Sequence, residues 1–208
     1  MAMPAIHRRW TTADVRSFTR EDRAWPRYEL IDGELLVTPA PRLAHQVASF
    51  ELCALLQAFL ARELLGIAVM SPADLELRAG TITQPDVFVI PAGTAIADDT
   101  LQWTDVKSLL LAVEVLSPSS LRTDRVTKRD FYLDSRVDEY WIVDLDARVI
   151  ERWRPAQETP ELLRERLEWA PGGRHPLVID VAALFDRVEA QLRMFSRFAS
   201  SSAHPPLE

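Results

Sequence analysis

LLLAVEVLSPS, residues 109–119, is the stretch on which the fold turns. From Leu109 to Leu116 it is apolar apart from Glu114, and Ser117 and Pro118 end it, so it reads as a central strand buried on both faces. An ionised carboxylate in such a place is costly unless it is paired or bound to a metal. A second run repeats the pattern: in TQPDVFVI, residues 83–90, Asp86 follows Pro85 at the head of VFVI. Each strand carries one misplaced charge. If the two strands are neighbours, the carboxylates converge, and two hard oxygen ligands with room for waters and a phosphate suit Mg²⁺ at about 2.0–2.1 Å. Taken singly, Asp86 also reads as a turn residue after proline and Glu114 as a buried partner for an arginine.

Working outward, the segments arrange themselves around these strands. Thr11 and Thr12 are candidate N-caps of a short helix in TTADVRSFTRED, with Asp14 in its first turn. RYELIDGELLVTPAP places Asp32-Gly33 between two apolar runs, the signature of a hairpin with strands around 28–31 and 34–37. Between Leu43 and Leu65, apolar residues including Val47, Phe50, Leu55 and Phe59 recur at helical intervals, with Gly66 as the expected stop. IAVM, ADLELR and TQPDVFVI read as strands separated by Ser71-Pro72 and Ala79-Gly80. A second helix is expected from about 122 to 135, then a strand pair, EYWIVD and ARVIERW, about Asp146 and Ala147. RLEWAP and PLVIDV read as further strands and LFDRVEAQL as a terminal helix. This order predicts an α/β (α+β) fold: a mixed sheet flanked by helices, with an N-terminal β-hairpin. One domain is expected over residues 1–195, and a disordered tail over 196–208.

The 208 residues are 48% hydrophobic, enough to bury a sizeable core. The start has no apolar stretch of the secretory kind, and no segment is expected to span a bilayer. The one cysteine, Cys53, can form no internal disulfide, which fits a reducing compartment, and a cytoplasmic location is expected. A formal charge of −7 argues against a protein that coats nucleic acid nonspecifically. It leaves room for a local basic surface, and Arg122, Arg125 and Arg129 are candidates for one, although an ordinary solvated helix face is the plainer reading.

Asp124, Lys128 and Tyr132, spaced i, i+4, i+8, lie along one face of the second helix. From there Lys128 could reach back towards the carboxylates to position or help deprotonate a water. The plainer reading is a solvated Asp124–Lys128 salt bridge, with Tyr132 as a packing residue. Glu29 and Glu34 flank the hairpin turn, and one of them could join the acids, although exposed strand-end charge is the plainer reading. His45, at the start of the long helix, could contact phosphate or water, although a histidine at a helix start is more often incidental. Ser117, Pro118 and Ser119 are expected to cap the helix that follows.

QPDVFVI, LAVEVLSPSS, DRVTKRDFY and VDEYWIVD, preceded by RYELIDGEL, together resemble the Uma-type family of putative restriction endonucleases, a branch of the PD-(D/E)XK nuclease superfamily. The resemblance runs from about Thr11 to Phe185. It implies a restriction-endonuclease-like core, a Mg²⁺ requirement, with Mn²⁺ as a plausible substitute, and hydrolysis of DNA phosphodiesters. By position, Asp86 is the family's PD aspartate and Glu114 its second acid. The lysine usually found two residues later is absent, since Leu116 stands there, and the resemblance points to Lys128 instead. Site specificity would then need a homodimer or another chain. The rival expectation is a nuclease-fold protein that binds nucleic acid or a protein partner without cutting.

Overall fold

The computed structural model of the protein describes residues 9–18, 25–94, 102–173 and 175–201. The first helix, α1 (Thr12–Phe18), opens with a reciprocal cap. The Asp14 backbone N–H donates to Thr11 Oγ1 (3.2 Å), and the Thr11 N–H donates to Asp14 Oδ2 (2.9 Å). Strands β1 (Arg27–Ile31) and β2 (Glu34–Thr38) form the expected hairpin. Asp32 and Gly33 both take positive φ, 51° and 85°, as a tight two-residue hairpin turn demands.

Helix α2 (Leu43–Glu63) ends differently from expectation. Leu64, not Gly66, takes the left-handed capping conformation, with φ of 53°. Gly66 instead begins strand β3 (Gly66–Met70), where a Cβ would lie 2.2 Å from the Ile90 carbonyl oxygen. The glycine is needed for close approach between strands rather than for the turn. Against the expectation that no run is long enough, this helix of 21 residues has, by length and composition only, what a bilayer span needs, with a mean hydropathy of 1.3 over its most apolar 18 residues. In the fold its Leu52, Leu56, Phe59 and Leu60 are buried in the core.

ADLELR is not a strand. Ala73, Leu75 and Leu77 alternate inward, which gave it a strand-like pattern, but pairing is limited to a single bridge from Leu75 to Thr83. The chain continues as β4 (Val87–Pro91) and β5 (Leu111–Val115). A π-helical turn (Thr123–Lys128) runs into α3 (Arg129–Leu133). Then come β6 (Tyr140–Asp144), β7 (Val149–Trp153), β8 (Glu161–Leu163), β9 (Arg166–Trp169) and β10 (Leu177–Asp180). The last helix, α4 (Val181–Ser201), carries residues 196–201 as helix where a disordered tail was expected. The rest of that tail, 202–208, lies outside the described residues.

Strands β3 to β8 form a six-stranded sheet in sequence order, with β9 and β10 a separate antiparallel pair. Within the sheet only β5 and β6 are parallel. Parallel neighbours need a crossover, and here the crossover carries the π-helical turn and α3. The sheet is packed on both faces, as its unbroken apolar strands require. Val87, Val89, Leu111 and Val113 share one core with the buried residues of α2 and α4. Phe88, Ile90, Ala112, Tyr140 and Ile142 share the other with Phe131 and Tyr132 of α3. The sheet is therefore a mixed one flanked by helices.

Candidate functional site

Side chains alternate along a strand, so Glu114 shares the face of Ala112 and points towards the crossover, away from α2 and α4. The register that pairs Val87 with Val113 brings Asp86, one residue before β4, alongside it. Above this face the π-helical turn and α3 bury Asp124, Lys128 and Tyr132 together. A π-turn is an uncommon element that recurs at functional sites.

Lys128 is the hub. Its Nζ lies 2.9 Å from Glu114 Oε1, 2.8 Å from Glu29 Oε2 and 3.8 Å from Asp124 Oδ1, and the residue is 4% exposed. The Asp124–Lys128 pair is therefore not the solvated bridge that its spacing suggested. The Tyr132 hydroxyl also donates to Glu114 Oε1 (3.1 Å). Glu29 is fixed further by the Gln84 backbone N–H (2.8 Å). Glu34, its counterpart across the hairpin turn, is exposed and outside the cluster.

Asp86 has its own partners. Arg27 donates from a guanidinium nitrogen to Oδ1 (3.0 Å), while His45 Nε2 (2.9 Å) and the Val115 backbone N–H (2.9 Å) meet Oδ2. His45 Nδ1 and Arg27 Nε are buried with no hydrogen-bond partner. The residues that sequence reasoning missed are Arg27 and Gln84. Arg27 had a usable signal, since it stands two residues before Glu29 on one strand and so shares its face. Gln84 acts through its backbone and leaves no signature of residue type.

Six buried ionisable groups thus meet: Glu29, Asp86, Glu114 and Asp124 against Arg27 and Lys128. The electrostatics follow from this imbalance. Burial pushes Glu114 well above the carboxylate range, opposed by Lys128 but reinforced by Asp86, Asp124 and Glu29. Burial also raises Asp124, to about 6. For Asp86 burial is outweighed by the hydrogen bond and charge of His45 and by Lys128, so its carboxyl sits below the usual value. Burial would discharge Lys128, but Glu114, Glu29 and Asp124 hold its ammonium well above the ordinary lysine range. An ammonium held so firmly cannot take a proton from water. It can orient one and offset negative charge.

Among the described residues, no three or more His, Cys, Asp or Glu side chains enclose a common point as a cage. Mg²⁺ does not need one, because it keeps several waters and binds through one or two carboxylates. Four buried carboxylates against two fixed cations leave room for a dication's charge, and Asp124 Oδ1 is a buried acceptor with no hydrogen bond. A cavity of about 30 Å³ lies among Glu29, Asp86, Glu114, Asp124 and Lys128. Chemically, the residues fit a hard divalent ion.

Around this centre, Ser117, Ser119 and Ser120 do not cap the following helix as expected. Their hydroxyls bond one another, Ser117 Oγ lying 3.1 Å from Ser119 Oγ and 3.0 Å from Ser120 Oγ. Two of the three arginines that could form a basic surface are paired with acids. Arg125 pairs with Asp144 (2.8 Å) and Glu151 (2.5 Å), and Arg129 with Asp130 (2.5 Å). A cavity of about 220 Å³ adjoins Asp86 and His45 on the hairpin side, and another of about 280 Å³ reaches from His45 to Asp144 and Asp146.

A family model described as Uma2, putative restriction endonuclease, matches residues 14–174. Among solved structures, a putative nuclease belonging to DUF820 from Anabaena variabilis has a similar fold, with a TM-score of 0.65 at 20% identity. That match covers 84% of this chain and 98% of the other. No curated protein matches the chain.

Proposed function

The chain belongs to the Uma2 family of putative restriction endonucleases, and from that membership we propose that it hydrolyses DNA phosphodiester bonds with a divalent cation held by Asp86 and Glu114. The observation that carries this reading is the surplus of buried carboxylates around one lysine, an arrangement that is expensive in a protein without a cation to serve. Mg²⁺, or Mn²⁺ in its place, supplies an acidified water and a counter-charge for the phosphate.

The remaining steps belong to the side chains. Arg27, His45 and the Val115 N–H hold the Asp86 carboxylate ionised and fixed in direction. Tyr132 and Lys128 both donate to Glu114 Oε1 and so orient that carboxylate. The Lys128 ammonium faces the cavity and positions the attacking water, contributing positive charge as the phosphate becomes more negative. A bond forms between the water oxygen and phosphorus and the ester P–O bond breaks; one proton ends on the departing oxygen, which leaves as an alcohol, and the other stays on the phosphate monoester or passes to solvent. Glu29 and Asp124 keep Lys128 charged. The reading places this work in the cytoplasm, where a chain with one cysteine has no need of a disulfide.

A second reading has one observation in its favour. Leu116, where a nuclease of the wider superfamily would carry lysine, is packed into an apolar cluster. A nuclease-fold binder without catalysis would show the same. Calorimetric titration with Mg²⁺ or Mn²⁺ separates the two readings, because the hydrolytic one requires binding that is lost in Asp86→Ala and Glu114→Ala. The direct test is metal-dependent cleavage of single- and double-stranded DNA beside the Glu114→Ala protein. Cleavage that persisted in the variant would sink the assignment.

A further inference from the structure

We propose that the 220 Å³ cavity beside Asp86 is a subsite for one unpaired nucleobase, so that the protein engages single-stranded or locally opened nucleic acid rather than an intact duplex. This rests on the hydrolytic reading for its biological meaning, and it names the substrate class that the same site would take.

The walls of the cavity have the chemistry of a base. Trp25 and the rings of Pro39, Pro41 and Pro118 offer flat apolar surfaces, and the Ser117 and Ser119 hydroxyls supply polar groups of the kind a base edge requires. The Arg27 guanidinium lies 4.3 Å from the centre of the Trp25 ring, so one tryptophan face is already held by a cation and the ring is fixed in place. Arg27 is only 7% exposed, and its Nε has no partner although the residue lines this cavity. Aromatic stacking of this kind binds any base and carries much of the affinity in single-strand recognition.

A phosphate also has a place. Arg42, exposed at the cavity edge, is the N-cap of the 21-residue α2, which has no side-chain cap and no acidic residue in its first turn. Its free backbone N–H groups and the positive end of the helix suit the phosphate attached to the seated base. The rest of the molecule argues against a duplex footprint. The net charge is −7, and Arg125 and Arg129 are already paired with acids. The exposed cations that make no ion pair among the described residues, Arg9, Arg42, Lys107, Arg122, Arg136, Arg164 and Arg197, lie on separate elements, and only Arg42 of them lines the cavity, which leaves one phosphate contact there rather than a row.

The test is fluorescence anisotropy with a labelled five-nucleotide single-stranded DNA and a duplex of the same sequence, in chelator so that nothing is cleaved. The wild type is expected to bind the single strand more tightly than the duplex. Trp25→Ala should weaken single-strand binding about 10-fold or more, and Trp25→Phe should largely keep it. Circular dichroism and thermal melting of both variants establish that they fold. Failure of the wild type to bind the single strand, preference for the duplex, or equal binding by a folded Trp25→Ala protein would each overturn the subsite. The cleavage assay reads the other question. Absence of cleavage with Trp25-dependent binding intact would sink hydrolysis and leave the subsite standing. Cleavage with Trp25-independent binding would do the reverse.

Discussion

Lys128 holds three carboxylates, and its removal has opposite consequences for chemistry and for charge. Lys128→Met should slow DNA cleavage by roughly 100-fold or more, while calorimetric Mg²⁺ affinity changes far less, because the lysine orients and the acids bind. Equal losses in both would contradict that division. The same substitution strands Glu29, Glu114 and Asp124 and should cost about 3–5 kcal/mol of stability near neutral pH. The loss should shrink in mild acid, where Glu114 and Asp124 can take protons. Asp124 permits a cleaner pH test. Its folded value, about 6, lies above the ordinary 3.8, so between these the folded protein keeps a proton that the unfolded chain has released, and stability falls as pH rises. Denaturant unfolding of metal-free Asp124→Asn should therefore gain on the parent between about pH 4 and 6, whereas curves that stay parallel would refute the assignment. Asp86, Glu114 and Lys128 were legible because each is a charge among apolar or periodic neighbours. Arg27 was not singled out, since an arginine at the head of a strand looks like surface until the fold covers it.

Elements that rest on strict local chemistry were read well, and those decided by neighbours were not. Asp32-Gly33 specifies the hairpin by itself. ADLELR alternates like a strand, yet beyond its one bridge it has no partner to pair with. Gly66 looked like a helix stop, and its actual role depends on Ile90, a residue that no local pattern connects to it. Gly66→Ala should force β3 away from β4, because the clash is with backbone and cannot be relieved by a rotamer change. We expect a loss of about 2 kcal/mol, a drop of roughly 4–8 °C in melting temperature. An unchanged melting temperature would show that β3 is free to shift. The π-helical turn was likewise invisible, because the spacing of Asp124, Lys128 and Tyr132 fits an ordinary helix equally well.

For the molecule as a whole, the mixed sheet and its flanking helices were legible from the order of apolar runs, whereas the pooling of charge at one place required the crossover between β5 and β6. The cations of the exterior are instead scattered over separate elements. Among the described residues Arg9, Arg42, Lys107, Arg122, Arg136, Arg164 and Arg197 are exposed and make no ion pair, and of these Arg42 alone lines the cavity beside Asp86. If binding is confined to that cavity and its edge, with about two phosphate contacts, the logarithm of DNA affinity should fall with the logarithm of salt at a slope near −2. A slope steeper than about −5 would show that the scattered cations act together as one broad basic face. The hairpin contributes Arg27 and Glu29 from outside the six-stranded sheet, and a bridge links Leu30 to Ile82, each N–H donating to the other's carbonyl (2.7 and 2.9 Å). Local opening there would pull both side chains from the charge cluster without unfolding the sheet. Those two amide protons should therefore exchange with deuterium faster than the amides of β5, and slow most when a divalent ion is added. They make the assembly of the centre observable on a clock of its own, separate from the lifetime of the fold.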